Sequence, residues 1–112
     1  MSDWTQEDAQ RWINGSLSRA ETSAKRQRFK ISEGDGDAAW LADLEGEASA
    51  FRLLANSQCL VSPHALLIET DSLTANAAQT AKSERWKDHP DQFRNGLERG
   101  LNQVRDYAKR YL

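Results

Sequence analysis

His89-Pro90-Asp91-Gln92-Phe93-Arg94-Asn95-Gly96-Leu97-Glu98-Arg99-Gly100-Leu101-Asn102-Gln103-Val104-Arg105-Asp106-Tyr107-Ala108-Lys109-Arg110-Tyr111-Leu112 is the stretch whose reading decides the fold. At about 100° per residue, Phe93, Gly96, Leu97, Gly100, Leu101, Val104, Tyr107, Ala108 and Tyr111 fall on one side. Arg94, Asn95, Glu98, Arg99, Asn102, Arg105, Asp106 and Lys109 fall on the other, so the segment reads as an amphipathic helix with a core-facing stripe. Pro90 suits the first helical position, and Asp91 sits where the helix dipole favours an anion. Gly96 and Gly100 lie within the stripe, where glycine costs helix stability but lets another backbone approach closely. The pattern leaves open whether that backbone belongs to this chain. A symmetric homodimer through the Gly96–Gly100 face is one expectation, because the partner helices upstream offer small side chains.

Upstream, the chain reads as further helices that cover this stripe. Thr5 can cap a first helix, with Trp4 placed to staple onto Ala9. Its stripe, Ala9, Ile13, Leu17, Ala20 and Ala24, keeps phase across Asn14-Gly15, which predicts one continuous helix to about Arg28. Arg28-Phe29-Lys30-Ile31 alternates and is expected to leave in extended form, followed by the acidic loop Glu33-Gly34-Asp35-Gly36-Asp37. Asp37 can cap a second helix, from about Ala38 to Asn56, whose stripe is Trp40, Leu41, Leu44, Ala48, Phe51 and Ala55. In that pattern Gly46 falls on the polar side.

Ser62-Pro63 marks the start of a third helix with Leu66, Thr70, Leu73, Ala77 and Ala81 on one face. Its opening Leu66-Leu67-Ile68 is apolar all round and is expected to be central. A hairpin of residues 59–61 against 66–68 is the alternative. From Ser83 to His89 the chain is a polar linker apart from Trp86. The expected fold is therefore an all-α antiparallel bundle of about four helices, one domain, with an irregular acidic loop near residues 29–37.

Composition narrows the function classes. With 112 residues, a 38% hydrophobic share and a 29% charged share, the chain can bury only a lean core. No apolar run approaches the roughly 18 residues of a membrane span. Met1-Ser2-Asp3-Trp4 lacks a basic region followed by an apolar one, so no secretory leader is expected. The single Cys59 fits a reducing compartment, and the protein is expected to be cytoplasmic. A net charge of −2 makes no global case for nucleic acid.

The charge is segregated, however. Arg19 to Lys30 holds five cations against Glu21, a net of +4, while Ile31 to Ala50 is net −6 with no basic residue. The two blocks are expected to neutralise each other across neighbouring helix ends.

Chemistry-bearing patterns are thin. Counted from Glu33, a calcium loop would need glycine at its sixth position and glutamate at its twelfth, where Ala38 and Leu44 stand. Cys59, His64 and His89 lack any paired ligand spacing, so no metal, cofactor or catalytic residue is assigned. The leading expectation is a non-catalytic interaction protein, an adaptor, inhibitor or assembly subunit, with a protein partner or a second copy bound through charged and aromatic helix surfaces. Its candidate residues are Trp12, Arg26, Arg28, Phe29, Asp35, Asp37, Trp86, Gly96 and Gly100. The rival is a nucleic-acid-binding module using the Arg19–Lys30 block with Arg94, Arg99, Arg105, Lys109 and Arg110. An enzyme built on Cys59 and a histidine stands third.

Overall fold

Three side-chain caps set the helix starts. The Thr5 hydroxyl accepts from the Asp8 N–H (3.1 Å), the Asp37 carboxylate from the Ala39 N–H (2.9 Å), and the Ser62 hydroxyl from the Ala65 N–H (3.0 Å). Each satisfies a backbone donor that the first helical turn leaves unpaired. The computed structural model describes residues 3–56, 58–82, 86 and 88–112. Met1 and Ser2 of the leader reading, Ser57, and residues 83–85 and 87 of the polar linker lie outside the described residues.

The chain is an all-α bundle. Its elements are α1 (Gln6–Ser32), α2 (Ala38–Leu54), a single 3₁₀ turn (Cys59–Val61), α3 (Pro63–Ala75), a short α4 (Ala77–Thr80) and α5 (Pro90–Lys109). No strand occurs among the described residues, which removes the hairpin alternative at 59–68.

α1 passes Asn14-Gly15 unbroken and carries on beyond Arg28. The extended exit expected at Phe29–Ile31 is therefore incorrect: the last turn is helical and stops at a Schellman motif. Gly34, with φ of 87°, takes the left-handed position. Its N–H donates to the Ile31 carbonyl (3.0 Å), and the Asp35 N–H donates to that of Lys30 (2.9 Å). The acidic loop is thereby shortened to Glu33–Asp37.

The expected third helix is interrupted at Asn76, whose side-chain amide donates back to the Ser72 carbonyl (2.9 Å), the local competition that favours Asn at helix ends. Its face is otherwise as read, with Leu66, Thr70, Ala77 and Ala81 buried. Ile68 is exposed rather than central.

The core gathers on α2 and α5. All the stripe residues of α5 from Phe93 to Ala108 are buried, and the largest enclosed side chains are Phe51, Ile13, Leu54, Leu60, Leu66, Leu97 and Leu101. Each such side chain contributes roughly 1.5–3 kcal/mol relative to exposure. α2 and α5 meet through three glycines. A Cβ on Gly96 would overlap the Asp43 carbonyl oxygen, one on Gly46 would overlap the Phe93 carbonyl, and one on Gly100 would sit 2.6 Å from the Ala50 Cβ.

Gly96 thus nests between Asp43 and Glu47, and Gly100 between Glu47 and Ala50, so the two helices advance in the same direction. Gly46 is part of this contact, not of a polar face as the periodicity suggested. The molecule is elongated, 49 × 25 × 19 Å, with a radius of gyration of 14.7 Å. A compact chain of this length would have about 13 Å.

Glycine substitutions separate the two environments. Gly15 has only the Arg19 guanidinium near its would-be Cβ, at 3.6 Å, so Gly15→Ala should stabilise the protein by about 0.5–1 kcal/mol. Gly96→Ala drives a methyl into the α2 backbone and should destabilise by at least about 2 kcal/mol, as overpacking does. Urea unfolding followed by far-UV circular dichroism checks both signs.

Candidate functional site

Most of the sequence-nominated residues turn out to hold the fold. The Trp12 ring stacks on Tyr107 (4.5 Å, 10°) and meets Phe51 edge-on (6.1 Å). Trp4, just ahead of the first helix, packs against the core. Its ring meets Tyr111 edge-on at 5.1 Å, and its indole N–H donates to the Leu60 carbonyl (2.9 Å). Trp86 stacks on Phe93 (6.1 Å, 23°). Asp37 is a helix cap, and Asp35 is exposed in the loop. Gly96 and Gly100 are filled by α2 of the same chain, so that face offers no surface to a second copy. Arg28 is ion-paired with the buried Glu45.

Arg26 and Phe29 are different. They lie with Thr22, Lys25 and Lys30 around an apolar surface depression of about 440 Å³ on α1. Phe29 is 66% exposed. Arg26 and Lys30 also line an adjoining groove of about 230 Å³ with Ser23, Gln27, Trp40 and Leu44, between α1 and α2.

Trp40, expected in the core, is 53% exposed, with the Lys30 ammonium 5.9 Å above its ring. It is the site residue that sequence reasoning misplaced. Its stripe is real, because Phe51 farther along is enclosed. Trp12 reaches only the Phe51 end.

The electrostatics of this end depart from mutual neutralisation. Glu45 engages Arg28, Asp43 and Glu47 both engage Arg99, and Glu21 engages Arg52. Lys25, Arg26 and Lys30 have no acidic partner among the described residues. The two carboxylates push the Arg99 guanidinium pKa upward against the opposing effect of burial, so it is a fixed cation. Of the cations on α5, Arg94 pairs with Glu98, Arg99 with Asp43 and Glu47, and Arg105 with Asp71.

Elsewhere the chemistry is sparse. Among the described residues no group of three or more His, Cys, Asp and Glu is placed to hold a metal ion. No helix among them is long and apolar enough to cross a membrane. The Cys59 thiol is buried and donates to the Leu54 carbonyl (3.2 Å). The neighbouring cavity of about 530 Å³ is lined by Asn56, Gln58, Cys59, Ala65, Ile68 and Glu69, with neither histidine among them.

No protein-family model, curated protein or solved structure matches this chain.

Burial raises the Cys59 pKa above the ordinary thiol value, and the nearby Glu69 carboxylate raises it further, while hydrogen bonds with Asn56 act the other way. Alkylation by iodoacetamide at neutral pH should therefore be slower than that of a free-thiol peptide, because less thiolate is available and access is poor. A pH series of labelling rates checks this; faster labelling, with a midpoint below the peptide's, would restore Cys59 as a nucleophile.

Proposed function

We propose that this protein is a non-catalytic interaction module that docks a protein partner on the C-terminal half of α1 and the adjoining start of α2. Its setting would be the reducing cytoplasm, in keeping with a lone buried thiol. The observation that carries the reading is the coincidence of Phe29 and Trp40, both more than half exposed, with Lys25, Arg26 and Lys30, none of which has an acidic partner among the described residues. Exposed aromatic rings beside arginine are the composition of interface hot spots. Leaving both in water gains the isolated chain nothing. The other aromatic candidates, Trp12 and Trp86, are occupied in stacking.

A nucleic-acid role is the weaker reading. It relies on many phosphate contacts, and Arg94, Arg99 and Arg105 are already committed to carboxylates.

A photo-crosslinking residue in place of Ile31, which is exposed on the last turn of α1, tests the reading in the source cell. A discrete crosslinked protein should appear, and Phe29→Ala or Trp40→Ala should abolish it. With that partner purified, each truncation should weaken binding by about 2 kcal/mol or more, the scale of a hot-spot aromatic. Absence of a crosslink, or a crosslink indifferent to both substitutions, would refute the docking surface.

A further inference from the structure

The apolar stripe of α2 runs from Trp40 through Leu44 to Phe51, residues three or four positions apart or two turns apart on one face. At the Phe51 end it is covered: Trp12 lies edge-on to Phe51, and Tyr107 stacks on Trp12. At the Trp40 end the same stripe lies open in a groove with Ser23, Arg26, Gln27 and Lys30 of α1. The groove is thus the uncovered continuation of the core seam. Its free charge is positive, because Arg26 and Lys30 have no acidic partner among the described residues, whereas Asp43 and Glu47 on α2 are held by Arg99.

Resting on the docking surface proposed above, we infer that this groove receives an acidic amphipathic helix from a protein partner, laid along α1 and α2 as a third helix. Its apolar residues cover Trp40 and Leu44 as Trp12 covers Phe51, and its carboxylates meet Arg26 and Lys30, with Lys25 and Phe29 on the outer shoulder. This is helix-in-groove recognition, read as anchors at every third or fourth position. A single nucleic-acid strand fits less well. Stacking on Trp40 would suit it, but a groove with two cations among its lining residues, Arg26 and Lys30, offers few of the phosphate contacts that such binding relies on.

Selection from a displayed library of random peptides of about 16 residues, roughly four helical turns, tests the inference on the full-length protein. The expected winners carry net negative charge and apolar residues at helical spacing. They should bind the charge-reversed variant Lys25→Glu/Arg26→Glu/Lys30→Glu at least about tenfold more weakly, because like charges then face each other. All three side chains are exposed, and far-UV circular dichroism of the variant verifies its fold. In spectra of the labelled protein, the Trp40 indole N–H signal, identified with Trp40→Phe, should shift on addition of a selected peptide.

Winners without acidic bias, winners indifferent to the reversal, or no winners at all would overturn the acidic-helix inference. If the cellular crosslink still depends on Phe29 and Trp40, the docking surface survives that failure; if the crosslink is also lost, both fall. Displacement of a selected peptide by a purified second copy carrying Trp40→Ala, or by oligothymidylate at low salt, would assign the groove to self-association or to nucleic acid instead.

Discussion

Everything in this fold is arranged about the backbone contact between α2 and α5. Gly46, Gly96 and Gly100 remove the side chains that would hold two helices apart, and each faces main-chain atoms or a small residue of the other helix. A helix with glycine in its interior loses about 1 kcal/mol per position relative to alanine. That loss is offset because dispersion attraction depends on close approach, and because flanking side chains such as Phe93, Leu97 and Leu101 are then buried. The parallel course of α2 and α5 requires a long connection, which α3, α4 and the segment between Ala81 and Pro90 supply. α1, joined to α2 by the short Glu33–Asp37 loop, can only run antiparallel to it.

The consequence for charge is as important as that for packing. Once α5 is seated on α2, Arg99 stands beside Asp43 and Glu47 and takes up two members of the acidic block. Arg28 takes up Glu45. Pairs with an exposed arginine, such as those of Arg99, add little stability individually. They decide instead which charges remain for a partner. Asp43, Glu45 and Glu47 of the acidic block are consumed inward while Glu33, Asp35 and Asp37 stay exposed in the loop, and the basic block keeps Lys25, Arg26 and Lys30 without an acidic partner among the described residues. A lean core has the same effect on apolar surface: α1 and α5 converge through Trp12 and Tyr107 at one end of α2, and among the described residues no aromatic side chain bridges them near Trp40.

Where local rules suffice, the chain could be read directly. The caps at Thr5, Asp37 and Ser62, proline at the first turns of α3 and α5, and the α5 stripe all follow from hydrogen bonding and periodicity within a few residues. The glycine at position 34 carried a further signal: it is the left-handed stop of a helix ending at Ser32, and reading it so would have kept Phe29 helical and exposed. Of the candidate interaction surface, Arg26 and Phe29 were legible as a basic block beside an aromatic residue.

Periodicity and local capping determined that this protein is all helical, where its long helices begin, and which face of α5 is buried, because those depend on contacts along one helix. Only the tertiary structure decided what covers each stripe. Trp40 and Phe51 look alike on a helical wheel, yet one is open and the other enclosed, since enclosure depends on how far a neighbouring helix reaches. Gly46 looks polar-facing until α5 is placed against it. Arg99 and Arg26 are both cations on helix surfaces. Their difference, one saturated by two carboxylates and the other without an acidic partner among the described residues, arises from residues far apart in the chain that only the packing of α5 on α2 brings together.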